Sequence, residues 1–232
     1  MKAIRRMLIA VLLLLILLPA GAYFFVKSTL PDYEGQHQVP GINGRIEIFR
    51  DGSAVPHILA DHQDDLAFGM GYAMAQDRLW QMDLFRRVAA GRLSEIFGER
   101  TLEADRFARV LGFQRDAIES LGSLLPEERS YLESFVKGIN TYIRTQPGER
   151  PIEFRVLGYA PDPFTPEEII ALTHLQSYAS NHNWKHEVLR ASAIQELGEK
   201  RGRELTPALT IHGPYMALPG FHHPSEGTPG NL

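Results

Sequence analysis

The chain has 232 residues, 44% hydrophobic and 22% charged, with a formal net charge of −4. This is the balance of a globular protein and excludes a disordered polyelectrolyte. A pI near 6.1 without a basic stripe, aromatic ladder or zinc-knuckle spacing argues against nucleic-acid binding. The absence of cysteine excludes disulfides, thiolate metal sites and a cysteine nucleophile.

In chain order, Lys2, Arg5 and Arg6 precede an uncharged apolar run from Met7 to Val26, which reads as an export signal. Two readings of residues 1–26 stay open. Ala20-Gly21-Ala22 has the small-x-small pattern of a signal-peptidase site, yet the run is long enough to remain as an uncleaved anchor. In both, the positive flank stays cytoplasmic and the rest is exported. A periplasmic location is therefore expected, with or without an inner-membrane anchor through residues 7–26. Residues 27–44, with Pro31, Gly35, Pro40, Gly41 and Gly44, read as a tether.

The folded part is expected over residues 45–206. Ile46 and Ile48 alternate, Asp51-Gly52 turns, and Val55 to Ile58 resumes extended structure, which predicts a hairpin with Pro56 on an edge strand. Asp61, Asp64 and Asp65 then open a long helix reaching Gly91. Within it, Leu66, Met70, Ala73, Asp77, Trp80 and Leu84 repeat at four-three spacing and share a stripe. Asp77 thus stands where a core residue is expected, and a buried carboxylate requires a fixed partner or a functional pocket.

Helices are predicted over Leu102 to Ser120, from Pro126 with Leu132, Phe135, Val136, Ile139 and Tyr142 on one face, from Thr165, and over Glu187 to Lys200. Thr165-Pro166 with Glu168 is a capping-box start. Residues 147–164 read as a Pro- and Gly-rich connection. Residues 207–232, rich in proline and glycine, read as an irregular tail or the start of a spacer.

The stretch VPHILADHQDDLAFGMGYAMAQDRLWQMDLFRRVAAGRLSEIFG resembles the opening of the penicillin acylase family. Val55 to Ile58, Gly71-Tyr72, Ala75 to Arg78, Gln81-Met82, Arg86-Arg87 and Gly91 to Leu93 fall into step with that family. The match continues more weakly through GINTYI and EFRVLGYAPDPFTPEE, to about Arg190. It departs at Ala73-Met74, where the family often has Val-His, and at Phe164, where it has tryptophan. The family comprises N-terminal-nucleophile amidohydrolases cut from one precursor into an alpha and a beta chain. The resemblance therefore implies an α+β fold. This chain would be the mainly helical alpha-chain portion of an αββα hydrolase, with a small N-terminal hairpin, incomplete without its beta chain.

The implied activity is hydrolysis of linear amides of acylated amines, such as beta-lactam amides or acyl-homoserine lactones. The resemblance places the nucleophilic serine, its amine base and the oxyanion hole on the beta chain. The heterodimer of the two chains is the expected form, made from a zymogen, and this chain alone is expected to be inactive. Tyr178, Asn181 and His182 match positions that line the acyl pocket. Glu187 matches a calcium ligand, with the remaining oxygens expected from the beta chain. Asp77 and Arg78 are read as a structural ion pair.

Other chemistry finds little footing. His182 and His186 share a helical face without the glutamate of a zinc hydrolase between them. Ser94, Ser130 and Ser225 sit in no nucleophile elbow. Ser180-Asn181-His182-Asn183-Trp184 imitates a beta-chain start, but only a short remainder follows. The rival expectation is a non-catalytic, membrane-tethered helical remnant or binding protein.

Overall fold

A computed structural model describes residues 2–145, 150–180 and 184–206. The first of two compact units, reaching Ser180, contains α1 (Lys2–Lys27), a hairpin of β1 (Ile46–Arg50) and β2 (Pro56–Ala60), and α2 (Gln63–Ala90). It continues with α3 (Ser94–Phe97), α4 (Leu102–Leu111), α5 (Phe113–Ser123), α6 (Pro126–Thr145), α7 (Ile152–Leu157) and α8 (Pro166–Ser180). The second unit holds α9 (Trp184–Leu197) and α10 (Glu199–Leu205). The described residues are mostly helical with one small sheet.

The hairpin is antiparallel, with Ile48 opposite Ile58. Its turn runs longer than the Asp51-Gly52 pair. The Asp51 carboxylate accepts Ser53 N–H at 2.8 Å and Val55 N–H at 3.0 Å, and Ala54 adopts a positive φ of 62°. Ile46 and Ile58 lie against Gly69 of α2, where a Cβ would meet the Ile58 methyl at 2.7 Å.

Helices α2 and α6 form the centre of the unit. Ala75, Leu79 and Met82 pack with Val136, Ile139, Tyr142, Phe154 and Phe164. A second cluster joins Ala89 to Phe113, Ala117 and Ala171. The buried stripe of α2 is therefore displaced by two positions from the one expected. Along it run Phe68, Gly71, Ala75, Leu79, Met82, Arg86 and Ala89; of the expected stripe Ala73 is buried, Leu66, Trp80 and Leu84 are half-buried and Met70 is exposed. Small residues carry the closest approach: a Cβ on Gly71 would fall on the Phe135 carbonyl, and one on Gly138 on the Phe68 carbonyl. Size-weighted apolar patterning points to the large flanking side chains instead.

Asp77 is accordingly at the surface, and its partner is not Arg78. Arg50 of β1 reaches it at 2.8 Å, and bonds Gln76 Oε1 at 3.0 Å. Arg78 follows at a kink in α2 (φ −146°, ψ 33°) and makes no ion pair among the described residues. Partly solvated pairs of this kind contribute little. Asp77→Ala should therefore cost only about 1 kcal/mol, read as the shift of a urea unfolding midpoint.

The segment expected as a tether is bonded to the folded unit at several points. Gln76 Nε2 donates to Asp32 O at 2.7 Å, and the Arg50 guanidinium covers the Tyr33 ring at 4.2 Å. Lys137 Nζ donates to Gly41 O, and buried Asp65 accepts Asn43 N–H at 2.9 Å and Gly44 N–H at 2.8 Å.

The predicted helix over Leu102 to Ser120 is two helices, because Gly112 takes a left-handed φ of 80° that ends α4 and starts α5. Asp105 of α4 is buried beside α3, accepting Leu93 N–H at 2.7 Å, Ser94 N–H at 2.8 Å and Ser94 Oγ–H at 2.5 Å. Burial alone would raise its pKa, but these donors outweigh it and hold the carboxyl below the usual range. With a folded pKa below the unfolded one, this contribution is present above about pH 4 and is lost as pH falls through the folded value. Ser94→Ala should thus raise the pH at which acid unfolding begins, as followed by circular dichroism. In the second unit, α9 ends before Gly198, whose φ is 78°, and Gly202 of α10 packs against the Ile194 backbone.

Candidate functional site

The helix that carries Tyr178 is α8, and its placement can be traced to three separate stretches of sequence. Thr165 and Glu168 form the expected capping box: Glu168 Oε2 accepts Thr165 N–H at 3.1 Å, and Thr165 Oγ1 accepts Glu168 N–H at 3.4 Å. Arg86 of α2 then grips the entry to the helix. It donates to Glu168 Oε2 at 3.1 Å, to Pro163 O at 3.2 Å and to Asp162 O at 2.9 Å, and lies 4.0 Å over the Phe164 ring. Asn140 of α6 holds Phe164 from the other side, accepting its N–H at 2.7 Å and donating to its carbonyl at 2.8 Å.

Arg86 is itself aimed by Asp83, which is wholly buried. Asp83 Oδ1 accepts Arg86 Nε at 2.9 Å and Nη2 at 2.5 Å, and Oδ2 accepts Arg87 Nε at 3.0 Å and Tyr159 Oη at 2.8 Å. Arg87 continues to Glu95 at 2.6 Å. Burial, and then the bond to Asp83, pushes the Tyr159 hydroxyl well above its ordinary pKa, so it remains a donor throughout the physiological range. Arg92 foremost, with Arg87 behind it, holds Glu95 below the usual carboxylate range. Every charge in the node has a partner, which is what allows it to be buried. Sequence reading singles out Asp77 and overlooks Asp83; the available signal is the Asp83-x-x-Arg86-Arg87 spacing, which sets both arginines one turn from the acid.

Tyr178 stands near the C-terminal end of α8, half-buried, with its ring 5.7 Å from Phe113 and 6.4 Å from Phe107. Asn181 and His182 lie outside the described residues. Glu187 is exposed in the first turn of α9. One carboxylate does not make a calcium site, and among the described residues no group of three His, Asp or Glu is placed to hold a metal. The serines do not form a nucleophile–base pair among the described residues: Ser94 bonds Asp105, and Ser130 Oγ bonds Asp64 at 2.8 Å. What this unit builds is therefore a rigid mount for α8.

Residues 45–225 match the sequence profile of the family described as Penicillin amidase. The penicillin acylase 2 proenzyme of Pseudomonas sp. (strain SE83) is 35% identical over 147 residues, covering 63% of this chain and 19% of that protein. The acyl-homoserine lactone acylase QuiP of Pseudomonas aeruginosa is 28% identical, covering 78% of this chain and 21% of its own length. The chain thus spans about a fifth of the length of the curated relatives it matches. Among solved structures, a chain of the thermostable penicillin G acylase from Alcaligenes faecalis superposes with a TM-score of 0.56 at 27% identity. That alignment covers 78% of this chain and 98% of the other.

Proposed function

Because this chain belongs to the penicillin amidase family, we propose that it provides the alpha-chain part of an exported amidohydrolase with an N-terminal-nucleophile fold. Its substrates are linear amides of acylated amines. One observation carries this reading: the alignment takes in nearly all of a solved penicillin G acylase chain, yet only about a fifth of the curated proenzyme. Those two coverages support reading this chain as the counterpart of one piece of a two-piece acylase. On this reading the nucleophilic serine, the amine that takes up its proton and the donors to the tetrahedral oxyanion belong to the other piece, the beta chain. The present chain contributes the mount for α8 and, from Tyr178, Asn181 and His182, part of the wall against which the acyl group lies.

The test is co-production of this chain with the remainder of its precursor, assayed on a penicillin and on an acyl-homoserine lactone. Amide hydrolysis should require both chains. Turnover by this chain alone, abolished by replacing one of its own serines, would defeat the reading.

Calcium enters the same proposal through Glu187, as one oxygen ligand whose companions come from the beta chain. In the assembled protein, Glu187→Gln should lower the calcium retained after gel filtration, measured by atomic absorption, and reduce the yield of processed chains. Unaltered metal content and processing would make Glu187 a surface residue with no part in metal binding.

A further inference from the structure

We propose that α7 and the groove beside it form a membrane-facing surface that takes anionic phospholipid headgroups at the outer end of α1. The proposal rests on α1 being retained as an anchor. Ile4–Lys27 is long and apolar enough to cross a bilayer, and none of it is buried against the rest of the chain. With the basic flank of Lys2, Arg5 and Arg6 in the cytoplasm, Lys27 marks the exported end.

The folded unit meets that end at Arg155. Arg155 of α7 donates to Ser28 Oγ at 2.9 Å, and its guanidinium sits 5.4 Å from the Phe25 ring. The first residue past Lys27 is therefore bonded to α7, which fixes α7 at headgroup level. Phe25 and Tyr23, both exposed, are side chains suited to that interface.

The composition of α7 fits the same place. Phe154 is buried and anchors the helix in the core, while Val156 is 72% exposed and Leu157 lies open beside it. What sets these exposed aliphatic residues apart is their place beside the end of α1, where the acyl-chain boundary adjoins them. Arg150 and Arg155 adjoin them, and the acid of the helix, Glu153, is half-buried. Neither Arg150 nor Arg155 makes an ion pair among the described residues. The same two arginines line an open groove with Phe154, Gly158, Tyr159 and Ala160. A phosphodiester fits the forked donors of two guanidiniums, and its acyl chains would lie along Val156 and Leu157.

Because the chain has no cysteine, a single dye can be placed by Val156→Cys, with Val110→Cys on α4, 79% exposed, as the control. The full chain is reconstituted in vesicles of phosphatidylcholine and phosphatidylglycerol, and doxyl-labelled lipid is the quencher. Quenching at position 156 should exceed that at 110 several-fold. It should fall to the control level in the Arg150→Glu/Arg155→Glu variant and when phosphatidylglycerol is omitted. A dye at 156 as water-exposed as that at 110, or quenching indifferent to charge reversal, would overturn the proposal. Excess inorganic phosphate should leave the signal unchanged; release of the dye by phosphate would assign the groove to a soluble anion and end the lipid assignment. Co-flotation with the vesicles reports α1 separately. A chain that does not float has lost its anchor, and the proposal falls with it.

Discussion

Gly138→Ala should unfold the first unit or leave it destabilised by about 3 kcal/mol or more, among the largest effects open to a single methyl group. The added Cβ would fall on the Phe68 carbonyl and press on Tyr72 N at 2.9 Å, both backbone atoms of the facing helix. A flexible side chain could rotate aside, but backbone of a packed helix yields only if the two helices separate. Separation would open the contacts among Ala75, Leu79, Val136 and Ile139, which are buried together in the main core. Intrinsic propensity pulls the other way, since alanine favours helix over glycine by about 1 kcal/mol, so the sign of the result distinguishes close packing from propensity. The measurement is the urea midpoint, with Gly122→Ala in α5, where nothing lies within 4 Å of the new Cβ, as the control expected to be neutral or stabilising.

The same crossing shows why one part of the fold is legible in the sequence and another is not. Pro126 at the head of α6 and the Thr165–Glu168 capping box are local signals with local causes, and both helices begin where those residues place them. The extent of α2 is equally plain, from the acids of its first turn to the left-handed Gly91 at its end. Its buried face is not, because Ala67, Gly71 and Ala75 are chosen for what they lack. The smallness of Gly71 has meaning only beside the backbone of Phe135 and Ile139, far along the chain on another helix. Six residues are also too few to show a helical period, so α7 is hidden in what reads as a Pro- and Gly-rich connection. The break at Gly112 is local and therefore readable in principle, yet a lone glycine in a helical pattern is often tolerated.

The motif residues behave in the same way. Arg86-Arg87, Asn140 and the Tyr159-to-Thr165 segment each read as fragments of a resemblance, with no stated reason for their identity. The structure supplies the reason: α2, α6 and the approach to α8 meet at Asp83, Arg86 and Phe164, and those fragments are the contact points. Tyr178 is legible as a candidate only through the resemblance, since nothing in its local pattern separates it from a core aromatic.

Asp83→Ala is the second variant expected to have a large effect, because it removes the carboxylate that two buried cations share. Arg86 and Arg87 are 3% and 6% exposed at their side chains, and Asp83 is fully enclosed. Removing Asp83 leaves Arg86 with Glu168 and Arg87 with Glu95 but takes the most enclosed carboxylate from both, at a cost of about 3 kcal/mol. Asp83→Asn keeps the shape and an acceptor but not the charge, so it should fall between wild type and the alanine variant. Asp77→Ala, on the solvated side of the same helix, should cost far less, and the contrast tests the reassignment of the buried acid directly. The damage should also be directional. With Arg86 no longer aimed, its bonds to Asp162, Pro163 and Glu168 loosen, and amide exchange should quicken in the first turns of α8 before it does in α6. The Tyr159 hydroxyl, freed from its bond to the carboxylate, should titrate at a lower pH than in the wild type, visible in its ultraviolet spectrum. On the proposed acylase reading, the same variant should raise KM for the amide more than it lowers kcat. Wild-type stability and unchanged exchange in α8 after loss of Asp83 would show that the node does not hold the helix in place.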